Sequence, residues 1–200
     1  VYKRQVVLTT TTKMGRDQAD VAPEVCWSAD TRCVIEALRK PGPIMLLTGG
    51  DDHKITGPEP EAIDHLFSSS GADYIIVEAD GSHGRPLKAP ASHEPVVPSA
   101  TSTVVIVMGV DAVGHRLADV VHRVEVAERF TGLPAGRILT PQDCAQILVH
   151  PDGALRVSPP ASRIVVGITK VRTPTDEVVA GEIAEFVSDH PRIAACVRLS

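Results

Sequence analysis

Apolar residues in this chain occur in short, nearly continuous runs, separated by polar segments that contain glycine and proline. Such runs suit strands buried on both faces of a parallel sheet, because helices cover both faces of such a sheet. Several of the intervening segments carry apolar residues at helical spacing and begin with proline or threonine. The pattern therefore predicts an α/β fold with a mainly parallel sheet of about six strands and flanking helices.

The predicted strands cover residues 6–9, 43–50, 73–78, 103–108, 163–169 and 193–199, with a short edge strand or hairpin arm at 53–57. The predicted helices cover residues 30–40, 58–68, 115–131 in two pieces, 140–150 and 173–188. The last two helices each begin with Thr-Pro-x-Asp, which resembles a capping box with Asp in place of Glu. We interpret residues 1–200 as one α/β domain, in which residues 112–162 form a helical insertion.

A long segment, residues 79–102, joins the third and fourth strands and is rich in glycine, proline and charge. Loops of this length inside a compact domain are usually functional or disordered, so we predict an irregular active-site loop. Glu78 and Asp80 fall at the carboxyl end of a strand, where ligands of parallel sheets bind. Two carboxylates there can hold a hydrated Mg²⁺, and Lys88 can contact phosphate oxygens.

Gly81 and Arg85 extend this candidate site. Gly81 allows the backbone to approach a ligand closely, and Arg85 supplies a second cation for an anionic group. The alternative interpretation is a strand followed by a solvated turn, of which any α/β protein has many.

Three further strand ends carry candidate binding residues. At the end of the first strand, the hydroxyls and backbone N–H groups of residues 9–12 can bind phosphate or a metal-bound water. Threonine is also ordinary strand material, which is the alternative interpretation. At the end of the fourth strand, Asp111 follows Gly109 and either contacts a ligand or caps a turn. Thr169 and Lys170, at the end of the fifth strand, have the position of a guanine-reading loop. The Asn and Asp of that loop are missing here, so the identity of a bound base stays open. These residues are, in order, Thr9, Thr10, Thr11, Thr12 and Lys13; Asp111; and Thr169 and Lys170.

Composition narrows the possible partners. The net charge is −5 and no long basic cluster occurs, so we expect no nucleic-acid partner. No apolar run approaches the ~18 residues of a membrane helix, so we expect no membrane partner. The four cysteines form no Cys-x-x-Cys pair, which fits a reducing cytoplasm. The His93–Glu94 and His122–Arg123 pairs lack the further ligands that a zinc site requires.

The chain contains neither a Gly-x-x-x-x-Gly-Lys-Ser/Thr loop nor a Gly-x-Gly-x-x-Gly loop. Either the protein is not a nucleotide-binding enzyme, or the phosphate loop precedes residue 1. The second interpretation is favoured because residues 1–5 lead, without an initiator Met, into what reads as a second strand.

An ordered series of motifs resembles the YqeC-type family of selenium-dependent hydroxylase accessory proteins. The most specific is Glu-Ala-Asp-Gly-Ser-His-Gly-Arg-Pro-Leu-Lys-Ala-Pro at residues 78–90, preceded by Leu-Thr-Thr-Thr-Thr-Lys-Met at 8–14. Further matching stretches follow in the expected order at residues 92–98, 109–114, 122–123 and 131–132.

The resemblance implies a P-loop NTPase-like fold whose first strand and phosphate loop are missing here, since family members carry a Gly-Lys-Thr loop ahead of the threonine-rich strand. It also implies a cytoplasmic, bacterial accessory factor in the maturation of selenium-dependent molybdenum hydroxylases. The expected cofactors are Mg²⁺ and ATP or GTP. The expected partners are the nucleotide and either the molybdenum cofactor or a molybdenum hydroxylase client.

In this interpretation, Glu78 and Asp80 hold Mg²⁺ or orient the attacking water, and Lys88 with Arg85 stabilises charge on a transferred phosphoryl group. Two alternatives stay open. One is a chaperone that binds an anionic, phosphate-bearing cofactor without turnover, and the other is a ligase-like enzyme that activates an acid with ATP.

Overall fold

A computed structural model describes residues 4–200, and the contacts within it divide the chain into two compact units. The first unit contains the described residues up to Gly81 together with Val96–Ala100, and the second contains Ser82–Pro95 and Thr101–Ser200. Residues 1–200 were interpreted as one domain, whereas these contacts separate them into two units. The prediction about the opening of the chain at residues 1–3 lies outside the described residues.

The first unit contains a four-stranded sheet, a small antiparallel sheet, two α-helices and a 3-10 helix at Arg16–Val21. Its elements are β1 (Val6–Thr10), β2 (Met14–Gly15), β3 (Glu24–Cys26), α1 (Thr31–Leu38), β4 (Ile44–Leu46), β5 (Gly49–Gly50), β6 (Lys54–Thr56), α2 (Pro60–Ser69) and β7 (Tyr74–Glu78).

The main sheet of this unit has the order β3-β4-β1-β7, and every neighbouring pair is parallel. Side chains of β4 alternate between two apolar layers, as the two-residue period of a strand requires. Ile44 and Leu46 pack with apolar residues of α1 and α2, and Met45 packs with Ile55 of the small antiparallel sheet. Strand β4 is therefore buried on both faces, as predicted for the strand at residues 43–50.

The prediction that residues 73–78 form a strand buried on both faces is wrong for the chain as described, and the predicted strand at 103–108 is likewise exposed on one face. Tyr74 and Ile76 of β7 are 49% and 58% exposed, and Val105 and Val107 of the fourth predicted strand are 53% and 57% exposed. In the described chain each of these two strands pairs along one edge only, so an apolar sequence alone does not bury it.

The second unit contains a three-stranded sheet, a two-stranded sheet, five α-helices and a 3-10 turn at Val110–Ala112. Its elements are β8 (Leu87–Lys88), β9 (Thr103–Gly109), α3 (Leu117–Val120), β10 (Val121–His122), α4 (Val124–Thr131), α5 (Pro141–Leu148), α6 (Ala154–Val157), β11 (Arg163–Thr169), α7 (Pro174–Ser188) and β12 (Ile193–Arg198).

The three-stranded sheet has the order β12-β11-β9 and is also parallel. Val166 and Ile168 of the central strand are fully buried in a core that includes Ile147 of α5 and Ile183 of α7. The α/β class with parallel strands is thus confirmed, although the strands form several sheets and not one.

Both predicted capping boxes are present in this unit. Thr140 Oγ1 accepts from the Asp143 backbone N–H at 3.2 Å, and Asp143 Oδ2 accepts from the Thr140 N–H at 2.9 Å. Thr173 and Asp176 repeat the arrangement at 3.1 and 2.9 Å. Each box satisfies backbone donors that the first turn of a helix leaves without a partner.

Residues 79–102 are irregular apart from the two-residue strand β8, which pairs in parallel with β10. Residues 112–162 contain the four helices α3 to α6, joined by turns and irregular segments. None of the helices in residues 4–200 is long and apolar enough to cross a membrane.

One carboxylate of α2 anchors the end of the long segment within the first unit. Asp64 Oδ2 accepts from the Ser99 backbone N–H at 3.0 Å and from Ser99 Oγ at 2.6 Å. Asp64 Oδ1 accepts from the Ala100 N–H at 3.0 Å. The Asp64 carboxylate therefore accepts three hydrogen bonds at once.

We expect Asp64→Asn to lower the free energy of unfolding by about 1–2 kcal/mol, since one carboxylate oxygen becomes an amide that faces an N–H donor. Denaturant unfolding followed by circular dichroism measures this change. Glu61→Gln, an exposed position in the first turn of the same helix, serves as the control and should shift the midpoint little. Equal stability of the two variants would show that the anchor is not needed.

Candidate functional site

The threonine-rich end of β1 forms side-chain hydrogen bonds with backbone carbonyls of its own unit. Thr9 Oγ1 donates to Leu46 O at 2.8 Å, and Thr11 Oγ1 donates to Val96 O at 2.6 Å. A hydroxyl has a single proton, so these two groups cannot also donate to a phosphate oxygen without changing partners. Their predicted role at a phosphate or a metal-bound water stays a prediction.

Thr10 and Thr11 also hold the end of β7. The Glu78 carbonyl lies 2.9 Å from Thr10 Oγ1 and accepts from the Thr11 backbone N–H at 3.0 Å. The Thr12 backbone N–H donates to Thr10 Oγ1 at 3.0 Å, which closes a tight turn after the strand. These bonds fix the backbone from which the Glu78 side chain projects.

Gly57 is a residue of this region that sequence reasoning missed. A Cβ atom at Gly57 would collide with the Thr10 carbonyl and would lie 2.7 Å from Thr9 Oγ1. Its own carbonyl accepts from Thr48 Oγ1 at 2.7 Å. The position therefore requires glycine because two backbone segments approach closely at the end of β1.

Glu78 and Asp80 interact electrostatically at the end of β7. Burial raises the pKa of Glu78, the negative charge of Asp80 raises it further, and Lys54 opposes the shift. A Cβ atom on Gly81 would lie 3.5 Å from Glu78 Oε1, so this predicted residue flanks the carboxylate. Two carboxylates that disfavour each other's charge suit a divalent cation.

The donor set fits Mg²⁺ with further ligands from water or phosphate. Among residues 4–200 no group of three or more His, Cys, Asp or Glu side chains could hold a metal ion. Mg²⁺ is commonly held by one or two protein carboxylates and completes its shell with waters and substrate phosphates. Glu78 and Asp80 could supply that pair.

Lys13 lies elsewhere in the first unit and is exposed. Backbone N–H groups of Lys54 and His53 lower the pKa of Asp51, and the charge of Lys13 adds to this effect. The structure therefore places Lys13 near the β5–β6 turn. Its predicted contact with a phosphate stays a prediction.

In the second unit, Lys88, Glu94 and Arg123 form an ion cluster that we call the Glu94 cluster. Lys88 Nζ lies 3.1 Å from Glu94 Oε2. The Arg123 guanidinium binds the same carboxylate with two nitrogens, at 2.9 and 2.7 Å. The Lys88 and Glu94 side chains are only 10% and 16% exposed, so the charges are held largely away from water.

The electrostatics of Glu94 follow from these contacts. Burial alone would raise its pKa, but the hydrogen bonds from Arg123 and Lys88 outweigh burial and lower the pKa to about 2. Arg156 holds the backbone around Glu94 and does not contact its carboxylate in these bonds. Its guanidinium donates to the backbone carbonyls of Ser92 at 2.7 Å and Glu94 at 3.2 Å. Glu94 is thus ionised and firmly positioned.

Sequence reasoning noted the pairs that contain Glu94 and Arg123 but not their contact. The two residues are 29 positions apart, and no spacing rule joins them. Arg85, which was predicted to bind a cofactor, donates to the carbonyls of Ala118 and Asp119 at the end of α3. That contact gives Arg85 a structural role, and its binding of a cofactor stays a prediction.

The predicted residues at the ends of β9 and β11 are brought together. Lys170 Nζ lies 2.7 Å from Asp111 Oδ2, and Thr169 Oγ1 donates to Met108 O at 3.0 Å. Lys170 has a φ of 62°, which is uncommon for a residue with a side chain. Both charged groups are about half exposed, so their pairing contributes at most ~1 kcal/mol, and base recognition stays a prediction.

These features define an α/β protein with parallel sheets in two units, a carboxylate pair in the first and an ion cluster in the second. The chain belongs to the YqeC family: the family model described as "YqeC protein" matches residues 1–125. It is 35% identical over 138 residues to the uncharacterized protein YqeC of Escherichia coli strain K12. That match covers 68% of this chain and 54% of the relative, so the chain spans about half the relative's length. No solved structure matches the chain.

We expect Glu94→Gln to lower the free energy of unfolding by about 3 kcal/mol at neutral pH, because it leaves two cations without their carboxylate in a poorly solvated place. An acid whose pKa is lower in the folded state stabilises the fold above its unfolded pKa, and this contribution is lost as pH falls toward that lower value. The difference in the free energy of unfolding between wild type and variant should therefore shrink from about pH 5 to about pH 2.

Denaturant unfolding at several pH values measures this difference. Glu125→Gln, an exposed position in the first turn of α4, is the matched control. A pH-independent difference between wild type and Glu94→Gln would contradict the assignment of the lowered pKa.

Proposed function

We propose that this protein is an NTP-dependent accessory protein in the maturation of selenium-dependent molybdenum hydroxylases. The observation that carries the proposed chemistry is the Glu78–Asp80 carboxylate pair, which ends a parallel strand where such sheets bind ligands. Membership of the YqeC family supports the pathway, through the resemblance of the motifs at residues 8–14 and 78–90.

We assign different roles to the two carboxylates. The pKa of Glu78 is raised by burial and by Asp80, which favours proton transfer to and from a water molecule. Asp80 supplies the second negative charge of the pair. Thr10 and Thr11 hold the Glu78 carbonyl and so limit the movement of the carboxylate. Mg²⁺, when held by this pair, would neutralise charge that develops on phosphate oxygens.

A non-enzymatic chaperone for an anionic, phosphate-bearing cofactor is the second candidate function. The Glu94 cluster favours it, because Lys88 and Arg123 are held with defined geometry in the second unit. Guanidinium and ammonium groups are the usual protein partners of phosphate. Nucleotide hydrolysis by the full-length protein separates the two functions, and analysis for an acyl phosphate tests a ligase-like reaction.

For Asp80→Asn in the full-length protein, we expect Mg²⁺-dependent nucleotide hydrolysis to fall by roughly 100-fold, the scale lost with one electrostatic element of a preorganised site. Asparagine keeps the size and one hydrogen-bonding oxygen but removes the charge that a divalent ion requires. The melting temperature should change little. Asp52→Asn, exposed in the β5–β6 turn, is the control. Full activity of Asp80→Asn would remove Asp80 from the mechanism.

The proposal extends to a P-loop NTPase-like fold with a further strand and a glycine-rich phosphate loop ahead of residue 1. The exposed apolar side chains of Tyr74 and Ile76 support it, since an added strand and helix would cover such a strand. A phosphate loop binds anions through successive backbone N–H groups, which side chains alone replace poorly.

This extension predicts that residues 1–200 alone bind ATP and GTP weakly. The protein with its natural upstream sequence should bind at least one of them roughly 100-fold more tightly, because the backbone N–H cradle is then complete. Isothermal titration calorimetry with both nucleotides measures the comparison. Tight binding by residues 1–200 alone would contradict the extension.

A further inference from the structure

The parallel pairing of β8 with β10 places Lys88 directly opposite His122 and Leu87 directly opposite Val121. Opposed residues of neighbouring strands project to the same face, about 5 Å apart. Leu87 and Val121 are each 1% exposed and belong to the apolar core. Lys88 and His122 therefore share the opposite, polar face of this two-stranded sheet.

His83 covers the His122 ring. Their ring centroids are 5.7 Å apart and the planes differ by 22°, which is a stacked arrangement. His83 and Arg123 have φ values of 56° and 67°, a conformation that costs residues with side chains about 1–3 kcal/mol. Both of these residues contact or adjoin His122. Backbone strain of this kind persists where the surroundings require a particular side-chain position.

The charges around His122 come from each segment that faces it: Lys88 on β8, Arg123 beside it, His83 before β8 and Glu94 after β8. Burial lowers the pKa of His122, Lys88, Arg123 and His83 lower it further, and Glu94 opposes them. The imidazole is therefore neutral at neutral pH, with one nitrogen as a donor and the other as an acceptor. An added anion would reverse the balance and favour its protonated form.

We propose that His122, stacked on His83 and opposite Lys88, forms an oxyanion-binding subsite in the second unit that takes the phosphate group of a ligand. The identification of the ligand as phosphate-bearing rests on the proposed function. The subsite itself needs neither Mg²⁺ nor turnover. His122 would donate its N–H to a phosphate oxygen, Lys88 would supply positive charge, and Glu94 would act as a positioning residue that orients Lys88.

The test is a titration of the full-length protein with inorganic phosphate, at constant ionic strength maintained with chloride and without Mg²⁺. Histidine Cε1–H resonances are followed by NMR. We expect saturable shifts of the His122 and His83 resonances and an upward shift of the pKa of His122. The resonance of His150, which stacks on Phe130 in the same unit, should not move. An unchanged His122 resonance, or equal shifts of all the histidine resonances, would overturn the proposal.

The variant His122→Gln keeps a hydrogen-bonding group but not the imidazole, and we expect it to bind phosphate about 10-fold more weakly. Unaltered affinity in a folded His122→Gln protein would also overturn the subsite. His150→Gln is the matched control. If His122→Gln fails to fold, the resonance titration of the wild-type protein decides the question.

Two further ligands identify the source of the phosphate. ATP without Mg²⁺ and glycerol 3-phosphate, a base-free monoester, are titrated in the same way. Tighter binding of ATP assigns the subsite to a nucleotide, and equal or tighter binding of the monoester assigns it to another phosphate-bearing cofactor. Loss of hydrolysis in Asp80→Asn with unchanged His122 shifts would show that the subsite is independent of the carboxylate pair.

Discussion

The ionised carboxylate of Glu94 is the constraint on which the second unit's irregular region depends. A charge this poorly solvated is tolerated only with close cationic partners, and here they come from β8 and from the start of α4. One side chain thus joins three stretches of chain that share no long strand or helix. The two-residue strands β8 and β10 are too short to hold this region by backbone pairing alone.

The first unit achieves a similar result with neutral hydrogen bonds. Its polar strand ends are held by threonine hydroxyls that donate to carbonyls, so that Thr9 is joined to β4 and Thr10 to β7. A hydroxyl buried with a carbonyl partner avoids the desolvation cost of an unsatisfied donor. Gly57 fits the same region because only a residue without a side chain allows the close backbone approach. The Glu78 and Asp80 carboxylates therefore follow a strand end whose backbone is held by hydrogen bonds within the protein itself.

Elements with a continuous signal could be predicted from the sequence, and tertiary pairings could not. The strand at Arg163–Thr169 has an unbroken apolar run, and α7 has both a capping box and a long apolar pattern. By contrast, β3 has three residues and becomes a strand only by pairing with β4. The Glu94–Arg123 contact likewise arises from folding, since local pattern carries no information about residues 29 positions apart. Burial of β7 was overestimated because its second edge has no described partner strand.

The outward-facing Ile76 has a consequence for how this chain behaves in solution. In the described part of the protein, β7 pairs with β1 alone and presents apolar side chains beside backbone groups along its other edge. An edge with this composition is a template for strand addition by another molecule. Strand addition along this edge would join copies of the folded protein without any denaturation of the core.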